Sequence, residues 1–216
     1  MRVLKFGGTS VKDAKNIALV KDIIFDSLKS TDALLVVVSA FSQVTNKLVN
    51  AAELASEKNE AYKEVINDLH DQHLNTAKTL IAPANQSPVL GNVKMKLNAL
   101  EDVLHGVYLV GEISPRTSDF ITSFGEKLSS GIIIEYLRQS EPDTSLVDAE
   151  KIIRTDNTFG KAIVDFNITN RNIEKTAFSK INVAPGFVSS NADGITTTLG
   201  RGGSDYTASI FASGLN

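Results

Sequence analysis

The spacing of hydrophobic positions changes along the chain, and each spacing predicts an element. Arg2–Phe6 reads as a short strand, turned at once by Gly7-Gly8-Thr9-Ser10. Over 11–28 the apolar residues Ile17, Val20, Ile23, Ile24 and Leu28 recur three and four apart, the mark of an amphipathic helix. Residues 33–38 form a continuous valine- and leucine-rich run too short for a helix, which predicts a buried parallel strand. Ser39 ends that strand, and another helix is expected to begin near Val44. This strand–helix–strand–helix opening indicates an α/β domain with right-handed crossovers. Residues 50–110 differ: no strand-like run appears, and Pro83 and Pro88 separate two helical stretches, about 51–81 and 93–110. They read as a helical insertion packed beside the sheet. Beyond it the pattern predicts a helix over 116–137, short strands at 145–148 and 151–155, and a helix over 167–178. Extended segments at Ile181–Pro185, 186–189 and 195–199 follow, then a helix from Ser204 onward.

Composition narrows the function classes. A chain of 216 residues with 42% hydrophobic content can bury one large core. Its formal net charge is -3, and the basic residues are scattered, so nothing points to nucleic acid. No run approaches the length of a membrane span, and MRVLKFGGTS does not have the form of a signal peptide. The chain has no cysteine, which fits a cytoplasmic protein and leaves no thiolate metal site. His70 and His73 stand three apart on a predicted helix, a spacing that can hold a metal. No third ligand lies nearby, so a solvated helix face is the expectation, with no metal site.

Four segments carry candidate chemistry. Lys5-Phe6-Gly7-Gly8-Thr9-Ser10 joins a strand to a helix. Glycines there let backbone approach a ligand, the helix start suits phosphate, and Lys5 adds a full charge. The pattern is neither a P-loop nor GxGxxG, and a plain tight turn would also explain it. Thr198 to Tyr206 repeats the logic with Gly200-Arg201-Gly202-Gly203-Ser204-Asp205. Ser204 or Asp205 could cap the following helix, and Arg201 is suited to gripping a carboxylate at two points. Ser123-Phe124-Gly125-Glu126 places a Gly-Glu pair at what reads as a helix entrance, and Arg154-Thr155-Asp156 closes a short strand.

KFGGTS, VVVSA followed by Thr45-Asn46, SFGEKLSS, RTD, PGF and TLGRGGSDYTA occur in an order that resembles the aspartokinases, from Lys5 to about Ala208. The insertion length and SFGEKLSS look more like the kinase part of the bifunctional aspartokinase–homoserine dehydrogenases. The resemblance implies an amino acid kinase-like fold, a mostly parallel sheet sandwiched by helices, and transfer of phosphate from ATP, with Mg²⁺, to the side-chain carboxylate of L-aspartate. It implies that residues 1–216 are the N-terminal, substrate-binding lobe of a kinase domain that continues further, in a cytoplasmic homo-oligomer. By position, Lys5, Gly7, Gly8 and Ser39 would meet the ATP phosphates. Thr45, Glu126, Arg201 and Ser204 would hold aspartate, Glu126 at the ammonium and Arg201 at the α-carboxylate. Lys5 and Asp205 would organise the transfer. Lys5, Ser39, Arg201 and Asp205 are therefore expected to converge at the carboxyl ends of the strands. N-acetylglutamate, glutamate 5- and carbamate kinases are the alternatives within that fold, and a binding module without turnover is the alternative outside enzymology.

Overall fold

The computed structural model describes residues 1–215. Its frame is a four-stranded parallel sheet ordered β1-β2-β5-β3, formed by β1 (Arg2–Phe6), β2 (Leu34–Val38), β5 (Ile181–Pro185) and β3 (Thr144–Leu146). All five β2 residues are fully buried. Successive strand side chains point to opposite faces, so Leu34, Val36 and Val38 enter one hydrophobic core while Leu35 and Val37 enter a second. Helices therefore cover both faces, as the continuous apolar run requires. The first core holds α1 (Ala14–Leu28), α2 (Val44–Ser56), α3 (Tyr62–Leu80), α4 (Gln86–Val110) and α5 (Pro115–Arg138). The second holds α6 (Ala149–Ile152), α7 (Phe166–Glu174) and α8 (Gly203–Gly214).

The expected single sheet is divided. A second, three-stranded sheet contains β4 (Arg154–Thr155), β6 (Val188–Asn191) and β7 (Thr196–Thr198), with β4 parallel and β7 antiparallel to β6. Pro185-Gly186 is the break at which the chain leaves one sheet for the other. The segment 151–155, expected as a strand, is the end of α6 followed by a two-residue strand, because Ile152 packs into the second core before the backbone extends.

The helical insertion is present with different joints. The stretch 51–81 is broken at Glu57-Lys58-Asn59. Lys58 takes a left-handed φ of 56°, and the Lys58 and Asn59 N–H groups bond back to Ala55 and Leu54. This is the Schellman closure, made here without glycine, and Tyr62 and Ile66 resume the apolar spacing so soon that the break leaves no trace in the periodicity. Pro88 does not separate helices; it lies in the first turn of α4, where a missing N–H removes no intrahelical bond. The helix start expected at 11 is at Ala14, capped by Asp13, whose Oδ1 accepts the Asn16 N–H at 2.8 Å. His73 is not on a solvated face. It is fully buried, stacked on Phe41, and its Nδ1–H donates to the Leu69 carbonyl at 2.7 Å. Burial lowers its pKa to about 4. Among the described residues no helix is long and apolar enough to cross a membrane.

Candidate active site

A cleft of about 720 Å³ opens over the carboxyl ends of β1, β2 and β5. Parallel register sets Lys5 of β1 beside Val37 of β2, one residue before each strand ends. The Lys5 ammonium lies 2.8 Å from Asp205 Oδ1 in the first turn of α8. Lys5 is the more enclosed partner, with 23% of its side chain exposed against 71% for Asp205. The pair joins the first glycine loop to the last one, which are 200 residues apart in the chain.

The turn after β1 serves two purposes. Its Gly7 carbonyl accepts from Ser10 and Val11 and closes the turn, and Gly7 sits beside the Lys5 ammonium, where a Cβ would lie 3.5 Å from Nζ. Gly8 does line the cleft, and a Cβ there would meet the Ala40 carbonyl at 3.1 Å, so glycine lets this loop lie against the one after β2. Ser39 begins that second loop; its N–H donates to the Phe6 carbonyl, and its own carbonyl accepts from Ser129 Oγ on α5 at 2.8 Å. Thr45 enters the cleft from the first turn of α2, behind Gln43, which has a left-handed φ of 67°. Non-glycine residues seldom adopt that conformation, and it recurs at Phe187 (φ 68°) on the same cleft.

Gly125-Glu126 is not at a helix entrance. It lies in the middle of α5, and a Cβ on Gly125 would come 2.8 Å from that of Ala40, so the glycine lets the β2 loop press against the helix. Glu126 is 4% exposed, and its Oε2 has no hydrogen-bond partner among the described residues. Loss of water pushes its pKa up to about 8, opposed only partly by the backbone N–H groups of Ala40 and Glu126. The carboxyl is therefore mostly protonated in the empty cleft at pH 7, and a cation brought against it would favour its charged form.

The loop between β7 and α8 supplies the opposite charge. Gly200 and Gly202 take φ values of 74° and 75° on either side of Arg201, a path that residues with a Cβ follow only with strain. Arg201 is exposed at the cleft and makes no side-chain hydrogen bond or ion pair among the described residues. Ser204 is buried against Gly186, where a Cβ would be 2.6 Å from that of Ser204. That contact gives the PGF segment its reason for glycine. Lys5, Gly8, Ser39, Thr45, Glu126, Arg201, Ser204 and Asp205 thus share one cleft, and Gly7 stands next to the Lys5 ammonium at its edge.

Sequence reasoning passed over Asp119, which also lines the cleft. It is 3% exposed and accepts from the Gly160 N–H and from both the N–H and the hydroxyl of Thr198. Burial raises its pKa, against those hydrogen bonds. Its place seven residues before Glu126, on the same helix face, was the available signal.

The geometry has parallels among known proteins. The chain is 30% identical over 216 residues to the chloroplastic bifunctional aspartokinase/homoserine dehydrogenase 1 of Zea mays, covering 98% of this chain and 23% of that protein. It is 31% identical over 223 residues to the lysine-sensitive aspartokinase 3 of Escherichia coli, covering 99% of this chain and 46% of that one. It therefore spans less than half the length of either relative. The structure of E. coli aspartokinase III in complex with aspartate and ADP superposes with a TM-score of 0.86 at 29% identity, covering all of this chain and 47% of that one. The amino acid kinase pattern matches residues 1–216 from end to end, and the chain belongs to the amino acid kinase family.

Proposed function

We propose that this chain forms the aspartate-binding side of a site that transfers phosphate from ATP to the side-chain carboxylate of L-aspartate. The observation that carries the reading is an acidic and a basic group facing one cleft, each without a counter-ion among the described residues. Glu126 offers a buried carboxyl oxygen with no hydrogen-bond partner, and Arg201 offers an exposed guanidinium with no ion pair among those residues. A free amino acid carries the complementary ammonium and α-carboxylate. An N-acetylated substrate has no ammonium and would leave Glu126 without a partner, which disfavours N-acetylglutamate.

The chemistry asks little of a base. The β-carboxylate of aspartate has a pKa of about 3.9 and is already ionised at neutral pH. The obstacle is bringing an anion to a polyanion, so the residues should position and neutralise. Lys5 would meet the transferring phosphate, a role supported by its ion pair with Asp205, which holds the ammonium at the end of β1. The positive end of α8 borders the same cleft through Gly203 and Ser204. Gly8 and Ser39 leave room for phosphate, and Thr45 and Ser204 offer hydroxyls to the substrate. Mg²⁺ keeps several waters and phosphate oxygens as ligands. No cluster of three acidic or histidine side chains gathers among the described residues, so we assign the ion to ATP and no step to a protein ligand. The aspartate and ADP held by E. coli aspartokinase III support both substrates.

The reading is tested by ATP-dependent formation of aspartyl phosphate, trapped as the hydroxamate, together with calorimetry of L-aspartate binding. Binding without hydroxamate would make the chain an aspartate receptor that depends on further segments for transfer. Absence of binding would remove the substrate assignment.

A further inference from the structure

The acidic and the basic group stand on separate elements. Glu126 is on α5, and Arg201 is in the loop after β7. One residue joins those elements. Asp119 is on α5, seven residues before Glu126, which is about 10 Å along the helix and on the same face. Its Oδ2 accepts the Thr198 N–H at 2.9 Å, and its Oδ1 accepts the Thr198 hydroxyl at 2.8 Å. The Gly160 N–H reaches both oxygens, at 2.9 and 3.0 Å. Thr198 is the last residue of β7, three before Arg201. Gly160 belongs to the loop that buttresses Gly200: its carbonyl would stand 3.1 Å from a Cβ there, and the neighbouring Ala162 N–H donates to the Thr198 carbonyl at 2.9 Å.

We propose that Asp119 is a positioning residue that fixes the Arg201 loop relative to Glu126, and so makes the site selective for the L-amino acid. The proposal rests on the aspartate reading above. With helix and loop keyed together, the ammonium at Glu126, the α-carboxylate at Arg201 and the side-chain carboxylate directed toward Lys5 are met at three fixed points, which only one hand of aspartate satisfies at once. Without the key each contact can still attract its part of a ligand, but the three no longer keep the spacing that selects a configuration.

The hydrogen bonds separate positioning from charge. An asparagine with its oxygen in the Oδ2 place still accepts the Thr198 and Gly160 N–H groups and its amide donates to the Thr198 hydroxyl, losing only the longer second contact with Gly160. Asp119→Asn therefore keeps the joint and loses the charge, whereas Asp119→Ala loses both, and Thr198→Val deletes one bond and leaves the carboxylate. Calorimetry with L- and D-aspartate on the whole chain reads the outcome, after thermal melts establish that each variant is folded. Asp119→Asn is expected to bind L-aspartate within about threefold of wild type. Asp119→Ala should lose about tenfold or more, the loss expected for hydrogen bonds to a charged group, and its preference for L over D should shrink by a similar factor. Thr198→Val should shift both in the same direction by about two- to fivefold, and it carries the test if Asp119→Ala does not fold. An unchanged L/D ratio in the folded variants would reduce Asp119 to a prop for the fold and overturn the proposal. So would an Asp119→Asn loss equal to that of Asp119→Ala, since the charge would then be touching the ligand. Wild type that binds no L-aspartate would remove the substrate reading and the proposal together, an outcome distinct from either.

Discussion

The inner strands of the two sheets are both buried, yet β2 and the β6–β7 pair are built from opposite materials. In the four-stranded sheet, β2 is Leu-Leu-Val-Val-Val, fully buried on both faces, with no polar side chain. In the three-stranded sheet Ser189, Ser190, Asn191, Thr196, Thr197 and Thr198 are all buried, and Val188 is the one apolar residue of β6 and β7. Their hydroxyls bond one another: Thr197 Oγ1 lies 2.7 Å from Thr155 Oγ1 and 2.9 Å from Ser189 Oγ. Burying an aliphatic side chain is worth about 1.5–3 kcal/mol and has no direction. A hydrogen bond adds only about 0.5–1.5 kcal/mol net but fixes distance and angle. The first sheet thus supplies most of the stability, and the second holds the loop of Arg201 in register with α5. The contrast makes a rule that can be broken: damage to the apolar sheet should cost stability, and damage to the polar one should cost substrate selectivity.

The largest effects should test that rule directly. Leu35→Ala removes a fully buried side chain from the second core and should cost about 2–5 kcal/mol in denaturant unfolding. L-aspartate affinity, measured where the variant is still folded, should stay within about twofold. A large affinity loss without unfolding would break the division of labour. Lys5→Ala, at the end of the apolar sheet, is the exception that the site requires. In the shortest form of the protein that forms aspartyl phosphate, turnover should fall by about 10²–10³, with aspartate affinity nearly unchanged. Near-normal turnover would return Lys5 to the status of a strand-end residue paired with Asp205.

The same contrast governs what could be read from the sequence. Apolar runs declare themselves: 33–38 gives β2 within one residue, and the spacing in 11–28 gives α1 apart from its first turn. The polar sheet declares itself only in part: 186–189 and 195–199 read as extended, overlapping β6 and β7, but Ser, Thr and Asn in a row look solvated. Nothing in Ser189-Ser190-Asn191 announces burial, and the split into two sheets went unseen for that reason. The break at Lys58 was hidden because a Schellman closure formed without glycine. At the site, charges beside glycines were legible as a group, and Lys5, Ser39, Arg201 and Asp205 do meet over the strand ends. The position of Gly125-Glu126 inside α5 was misread because a Gly-Glu pair is equally at home at a helix start. Asp119 was missed because its importance lies in partners 41 and 79 residues away.

Glu126 sharpens the comparison from the site's own side. Its pKa is raised to about 8 from an ordinary 4.5, so the carboxyl is mostly neutral in the empty cleft at pH 7. A raised acid pKa means that stability is fully present below about 4.5 and is lost as pH rises toward 8. Glu126→Gln, isosteric with the neutral form, should therefore melt higher than wild type above pH 8, and the gap should close below pH 4.5. Function should move the other way. An ammonium needs the charged form, so aspartate binding at pH 7 should release close to one proton, visible as a dependence of the calorimetric heat on buffer, and should tighten as pH rises from about 6 to 8. In Glu126→Gln the affinity should fall by about 1.5–3 kcal/mol, and the proton release should vanish. A proton count of zero in wild type would mean that Glu126 does not meet the ligand.

The smallest effect bears most closely on the polar sheet. Thr197→Val keeps the shape and β-branching of the side chain and deletes one buried hydroxyl. Thr155 Oγ1 still donates to the Asp156 carbonyl, and Ser189 Oγ still reaches the Thr197 carbonyl, so neither neighbour is left wholly unpaired. The stability cost should be about 1 kcal/mol, at the low end of what truncations in β2 should cost. The informative quantity is its ratio to binding. Thr197 is next to Thr198, the residue that Asp119 grips, and three residues before Gly200, where the Arg201 loop begins to turn. If directional bonds in this sheet hold that loop, Thr197→Val should lower the L/D ratio of aspartate affinity measurably, by about twofold. A β2 variant matched to the same stability loss, such as Val37→Ala or a milder truncation, should leave the ratio alone. Equal ratios in the matched pair would mean that the hydroxyls serve only to satisfy one another, and that the two sheets differ in composition but not in what they do for the site.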